Sequence, residues 1–85
     1  MANLLLTDPL SFNVRFNDEV KAIDAFYDDY IKDVLEKALD QFGIPQDEAT
    51  RYALYDMDGE RLPKPTRIYD NTELVDGVIL LLKER

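Results

Sequence analysis

The chain has 85 residues, 46% of them hydrophobic and 33% charged, with a formal net charge of −8 and neither cysteine nor histidine. That is the balance of one small soluble domain with a single core. It excludes a disulfide framework, a thiolate metal site and an imidazole base, and it argues against nucleic acid, whose phosphates an acidic protein repels. No segment approaches the roughly 20 apolar residues that span a bilayer. No basic leader precedes Leu4-Leu5-Leu6. No membrane insertion is therefore expected, and a cytoplasmic location is the default.

Residues 1–9 end in the turn signal Asp8-Pro9 and read as a tail or a short extra strand. Residues 10–85 read as the domain proper. Phe12, Val14 and Phe16 alternate with Ser11, Asn13, Arg15 and Asn17, the pattern of a half-buried strand. Asn17-Asp18-Glu19 turns into a second strand over about 20–25, with Ile23 and Ala25 inward and Val20 and Ala22 outward. Lys21 falls on the inward phase and is expected at the open end of the hairpin.

A helix follows. Ile31, Val34, Leu35, Ala38, Leu39 and Phe42 make one apolar stripe at i, i+3, i+4, i+7, i+8 and i+11. Asp28 and Asp29 are candidate N-caps, and Asp33 adds negative charge to the first turn. Lys32–Glu36 and Asp33–Lys37 are spaced for ion pairs. Gly43 suits a left-handed C′ position, and Pro45 stops continuation.

After a polar link, residues 51–56 read as a third strand, with Tyr52 and Leu54 toward the helix and Ala53 and Tyr55 away from it. Asp58-Gly59 is a turn signal, and Glu60-Arg61-Leu62 can return as a short strand. Pro63-Lys64-Pro65 is extended and cannot occupy a sheet centre. Ile68, Tyr69 and Leu74 are expected to anchor the next loop. Asp76-Gly77 then turns into a last strand over 78–83.

Three stretches in this order, Asp29-Tyr30-Ile31 through Gly43-Ile44-Pro45, Tyr52-Ala53-Leu54-Tyr55 with Asp58-Gly59, and Leu74-Val75-Asp76-Gly77 before an apolar strand, resemble the ubiquitin-like β-grasp superfamily. The resemblance covers about residues 10–83. It implies an α+β fold, a mixed four- to five-stranded sheet with one helix packed across it. The Tyr-Ala-Leu-Tyr strand is similar to the Ras-association branch. The size and the late Asp-Gly are similar to the small ubiquitin-like proteins of bacterial type VII secretion loci. Both branches stay open.

The resemblance implies a non-catalytic protein-interaction module. Conjugated relatives and sulfur carriers act through a C-terminal diglycine, whereas this sequence reads Leu81-Leu82-Lys83-Glu84-Arg85. A modifier or carrier reading therefore requires glycines outside this chain. A Ras-association-type GTPase-binding reading requires basic residues on the first two strands. There Arg15 and Lys21 stand among Asp18, Glu19 and Asp24, which weakens steering toward an acidic partner.

No nucleophile–base pair and no Gly-rich phosphate loop occurs, so neither catalysis nor a cofactor is expected. Asp56-Met57-Asp58-Gly59-Glu60 is similar to part of a calcium loop, but Arg67 stands where the bidentate glutamate belongs. It is also similar to part of the acidic motif of PB1 domains, yet the basic Pro63-Lys64-Pro65-Thr66-Arg67 follows. A solvent-exposed turn accounts for it, and no metal site is expected.

The sharper signal is Val78-Ile79-Leu80-Leu81-Leu82, apolar on both phases. With Val78, Leu80 and Leu82 under the helix, Ile79 and Leu81 point outward beside Ala53 and Tyr55. A clustered aliphatic–aromatic patch on a sheet marks a contact surface. Ala53, Tyr55, Ile79 and Leu81 are thus the candidate protein-binding residues. Their position is similar to the hydrophobic patch of ubiquitin. A protein of unknown identity, a weak homodimer, or the folded-back Leu4-Leu5-Leu6 could cover them.

Overall fold

The structure is a computed structural model that describes residues 9–71 and 74–85. Residues 1–8, which make up nearly all of the expected tail, lie outside the described residues. Strand β1 (Leu10–Phe16) and strand β2 (Glu19–Ala25) form an antiparallel hairpin. Helix α1 (Ile31–Gln41) follows, then strand β3 (Tyr52–Tyr55) and strand β4 (Ile79–Glu84). The sheet order is β2-β1-β4-β3, with β1 parallel to β4 and β3 antiparallel to it. This is the α+β architecture that the resemblance implies. Among the described residues, no helix is long and apolar enough to cross a membrane.

One face of the sheet meets the helix. Phe12 and Val14 of β1, Ile23 of β2, Leu54 of β3 and Leu80 and Leu82 of β4 are buried against Ile31, Val34, Leu35, Ala38 and Leu39. The strand phases are therefore those that alternation predicts. Burying each large aliphatic side chain contributes about 1.5–3 kcal/mol. Phe16 lies edge-on to Phe42 (5.4 Å between centroids) and to Tyr52 (6.1 Å), closing the core near the helix C-terminus.

Lys21 is placed differently from the expectation. It pairs with Val14 close to the turn of the hairpin, not at its open end, and its ammonium lies 5.8 Å from the centroid of Phe42. The inward phase is tolerated because the aliphatic stem covers apolar surface while the charge sits over an aromatic face.

The helix start also departs from the sequence reading. Its N-cap is Tyr30, and the carboxylate of Asp33 accepts from the Tyr30 N–H at 3.0 Å. Asp29 instead accepts from the Phe26 N–H, and Asp28 contributes its carbonyl to Arg67. The free N–H groups of the first turn find partners in a distant loop: Ile31 donates to the Thr66 carbonyl and Lys32 to the Lys64 carbonyl. Caps supplied by tertiary structure satisfy helix ends as well as local side chains do. The Lys32–Glu36 pair forms at 3.6 Å. The Asp33–Lys37 pair is replaced, because Asp33 is engaged at Tyr30 and Lys37 donates to the Asp24 carbonyl and lies 3.8 Å from Asp29.

The other end follows the sequence closely. Ile44 N–H donates to the Leu39 carbonyl and Gly43 N–H to that of Asp40, with Gly43 at φ +73°. This is a Schellman motif, and glycine fits its left-handed residue without strain.

Two connections are more structured than expected. Gln46–Arg51 and Ile68–Asp70 are short 3₁₀ helices. The second turns Ile68 into the core and Tyr69 outward, 53% exposed, so Tyr69 does not anchor the loop; Ile68 and Leu74 do. The returning strand shrinks to one bridge, Tyr55 with Arg61, followed by Leu62 N–H donating to the Leu54 carbonyl. Pro63 ends it by lacking a donor, leaving four strands.

Candidate protein-binding surface

The sheet face turned away from the helix is built by register. Val20 lies opposite Arg15, Arg15 opposite Leu81, and Leu81 opposite Tyr55. One row therefore crosses all four strands. The neighbouring row is Ala22, Asn13 and Ile79. Directly opposed side chains stand close enough to form a joint surface. The two rows thus place Tyr55 and the aliphatic Val20, Ile79 and Leu81 on the same face as the exposed Arg15.

Ile79 is 42% exposed and Val20 56%, while Leu81 and Tyr55 are half-buried. The Lys83 ammonium lies 5.2 Å from the centroid of Tyr55, which holds the ring against the sheet. Where β1 turns away and β4 runs on, a groove of about 660 Å³ opens, walled by Arg15, Phe16, Tyr52, Leu81, Lys83 and Glu84.

Ala53 does not belong to this exposed set. It sits on the outer phase opposite Lys83, yet none of its surface is accessible. A methyl group is short, and directly opposed Lys83 is a far longer neighbour across the ladder. The expectation placed it by phase and left out side-chain length. Conversely, Val20 and Arg15 stand on the outer phase, as alternation expects, and join the row through Leu81. The signal for them was available only through the pairing of β1 with β4, which alternation does not reveal.

The Asp56-Met57-Asp58-Gly59-Glu60 turn has its own internal use for the first carboxylate. Asp56 Oδ1 accepts from the N–H of Asp58 at 2.9 Å and from that of Glu60 at 3.0 Å, while Gly59 takes φ +85°. This is the self-bonding turn chemistry of aspartate. Among the described residues, no group of three or more His, Cys, Asp or Glu side chains is arranged to hold a metal.

No family model and no curated protein matches this sequence. Solved structures do match. A de novo protein designed on ubiquitin superposes with a TM-score of 0.76 at 24% identity, over 91% of this chain and 89% of that one. A chain in the crystal structure of a pParkin–pUb–UbcH7 complex gives 0.74 at 20% identity, over 91% of this chain and 23% of the other. The solution structure of the N-terminal ubiquitin-like domain of the 4931431F19Rik protein gives 0.74 at 12% identity, over 91% and 75%. The fold is a ubiquitin-like β-grasp.

Likeness at these identities is a likeness of fold, and function resides in the side chains placed on it. Within this fold the acids concentrate in one stretch of the sequence. Residues 18–48 hold ten acids against Lys21, Lys32 and Lys37. The outer face of β1 and β4 presents Arg15 and Lys83 among apolar residues instead.

Proposed function

We propose that this ubiquitin-like domain is a non-catalytic interaction module that binds a protein through the outer face of its sheet. Tyr55, Ile79 and Leu81 are the contacts, extended by Val20 and Arg15. The observation that carries this reading is the uninterrupted Val20–Arg15–Leu81–Tyr55 row with Ile79 beside it. It supplies aliphatic and aromatic surface, with an arginine at its centre, and buried aromatic and arginine side chains dominate binding energy at protein interfaces. Nucleic acid and membrane insertion do not suit so acidic a domain. A weak homodimer through the same face is the variant in which the partner is a second copy.

The test compares affinity capture by the native protein with capture by Ile79→Asp and Leu81→Asp at matched melting temperature. A protein retained by the native chain and lost by both variants supports the reading. Equal retention by all three removes this face. Sedimentation of the same variants tests the homodimer, since self-association through the face would be lost with them.

A further inference from the structure

A second feature lies beside the sheet, where the Pro63-Lys64-Pro65 segment passes the end of β4. Arg61, Leu62, Pro63, Lys64, Pro65 and Arg85 line a small pocket of about 250 Å³. Three of these six residues are cationic, in a chain whose net charge is −8. Among the described residues, none of the three forms an ion pair, although Lys32, Lys37 and Arg51 each do.

Two of the cations are fixed in place by backbone carbonyls rather than carboxylates. The Lys64 ammonium donates to the Ala49 carbonyl at 3.0 Å, and the Arg85 guanidinium donates to that of Thr50 at 3.0 Å. Arg85 N–H also donates to the Arg51 carbonyl at 2.8 Å, tying the end of β4 to the start of β3. Glu84, the neighbour of Arg85, pairs with Tyr52 and so takes the opposite phase of the strand, and Glu60, the neighbour of Arg61, does not line the pocket. Partial burial, then the charges of Arg85 and Arg61, hold the Lys64 ammonium below the usual lysine range. Three cations thus share one pocket with no ion-pair partner among the described residues.

We infer that the Arg61–Lys64–Arg85 pocket is a recognition site for a doubly charged phosphate-type oxyanion, carried as a phosphoester on a partner or present as free phosphate. Guanidinium forks and an ammonium donate charge-assisted hydrogen bonds to such oxygens. Three cations lining one pocket favour a dianion over a single carboxylate. Pro63 and Pro65 add apolar walls that the carbon of an ester would touch and bare phosphate would not. Arg61 is bridged to Tyr55 and so adjoins the sheet-face patch, but Tyr55, Ile79 and Leu81 do not line the pocket.

The experiment is a titration of the ¹⁵N-labelled protein followed by amide chemical shifts, with inorganic phosphate, O-phosphoserine and acetate at constant ionic strength. Saturable shifts centred on Arg61, Leu62, Lys64 and Arg85 are expected for both phosphates, with acetate at least about tenfold weaker. Tighter binding of the ester than of phosphate identifies the partner-borne source; equal binding identifies the free ion. Arg61→Glu, an exposed change at a residue with no side-chain hydrogen bond among those described, should weaken both by about tenfold or more. Arg15→Glu, on the sheet face, should leave them unchanged. Shifts spread over all surface cations, acetate binding as tight as phosphate, or insensitivity to Arg61→Glu would each overturn the assignment.

Discussion

The N–H of Ile31, the first residue of the helix, donates to the carbonyl of Thr66 at 2.9 Å. The loop after the third strand thereby completes the helix that precedes that strand. Arg67 reinforces the junction, its guanidinium 4.3 Å from the Tyr30 ring centroid and donating to the Asp28 carbonyl at 2.7 Å.

The helix start can be tested by separating two aspartates. Asp33→Ala removes the acceptor for the Tyr30 N–H and should cost about 0.5–2 kcal/mol in urea unfolding. Asp28→Ala should cost little, because it is the backbone carbonyl of Asp28 that takes part in the junction. A larger loss at Asp28 than at Asp33 would move the cap back to the sequence-based position.

Core packing supplies a second test. Leu35 and Leu39 are almost wholly buried between helix and sheet. Leu35→Ala or Leu39→Ala should each cost about 2–5 kcal/mol by lost transfer energy and residual cavity. A cost below about 0.5 kcal/mol at both, against that expectation, would place the helix elsewhere.

The last strand distinguishes its two phases sharply. Leu80→Asp puts an unpaired carboxylate where no solvent reaches, and the domain should fail to fold. Ile79→Asp lands on the open face and should leave the circular dichroism spectrum and melting temperature close to native. The reverse outcome would mean a one-residue slip that exchanges the faces.

The acidic turn gives a fourth. Asp56→Ala strands the N–H groups of Asp58 and Glu60 and should destabilise by about 1–2 kcal/mol. Calcium should leave the melting temperature of the native protein unaltered. A calcium-dependent rise would show that the carboxylates reorganise around an ion.

Much of this was legible in the residues themselves. The stripe from Ile31 to Phe42, the alternation from Phe12 to Phe16 and the Gly43-Ile44-Pro45 stop are local patterns, and the structure uses each as read. What escaped depends on distant neighbours. The cap from Thr66 and Lys64 lies far along the chain. The diversion of Lys37 to the Asp24 carbonyl needs the hairpin in place. Tyr69 looked like an anchor because it is aromatic, but a single 3₁₀ turn aims it at solvent. Within the candidate patch, the outward phase of Tyr55, Ile79 and Leu81 could be read, whereas the burial of Ala53 is a matter of relative side-chain height.

The two central strands are the first and the last of the sheet, and their junction joins Ser11 to Asp76 across a sequence separation of 65. Until β4 has been synthesised, β1 lacks one neighbour and β3 has no strand of the sheet to pair with. Closing so long a loop carries an entropic cost before any contact across it is gained. A nascent chain therefore cannot complete its sheet until residues 79–84 have emerged. A chain cut before Ile79 leaves a hairpin and a helix with no strand to join β1 to β3.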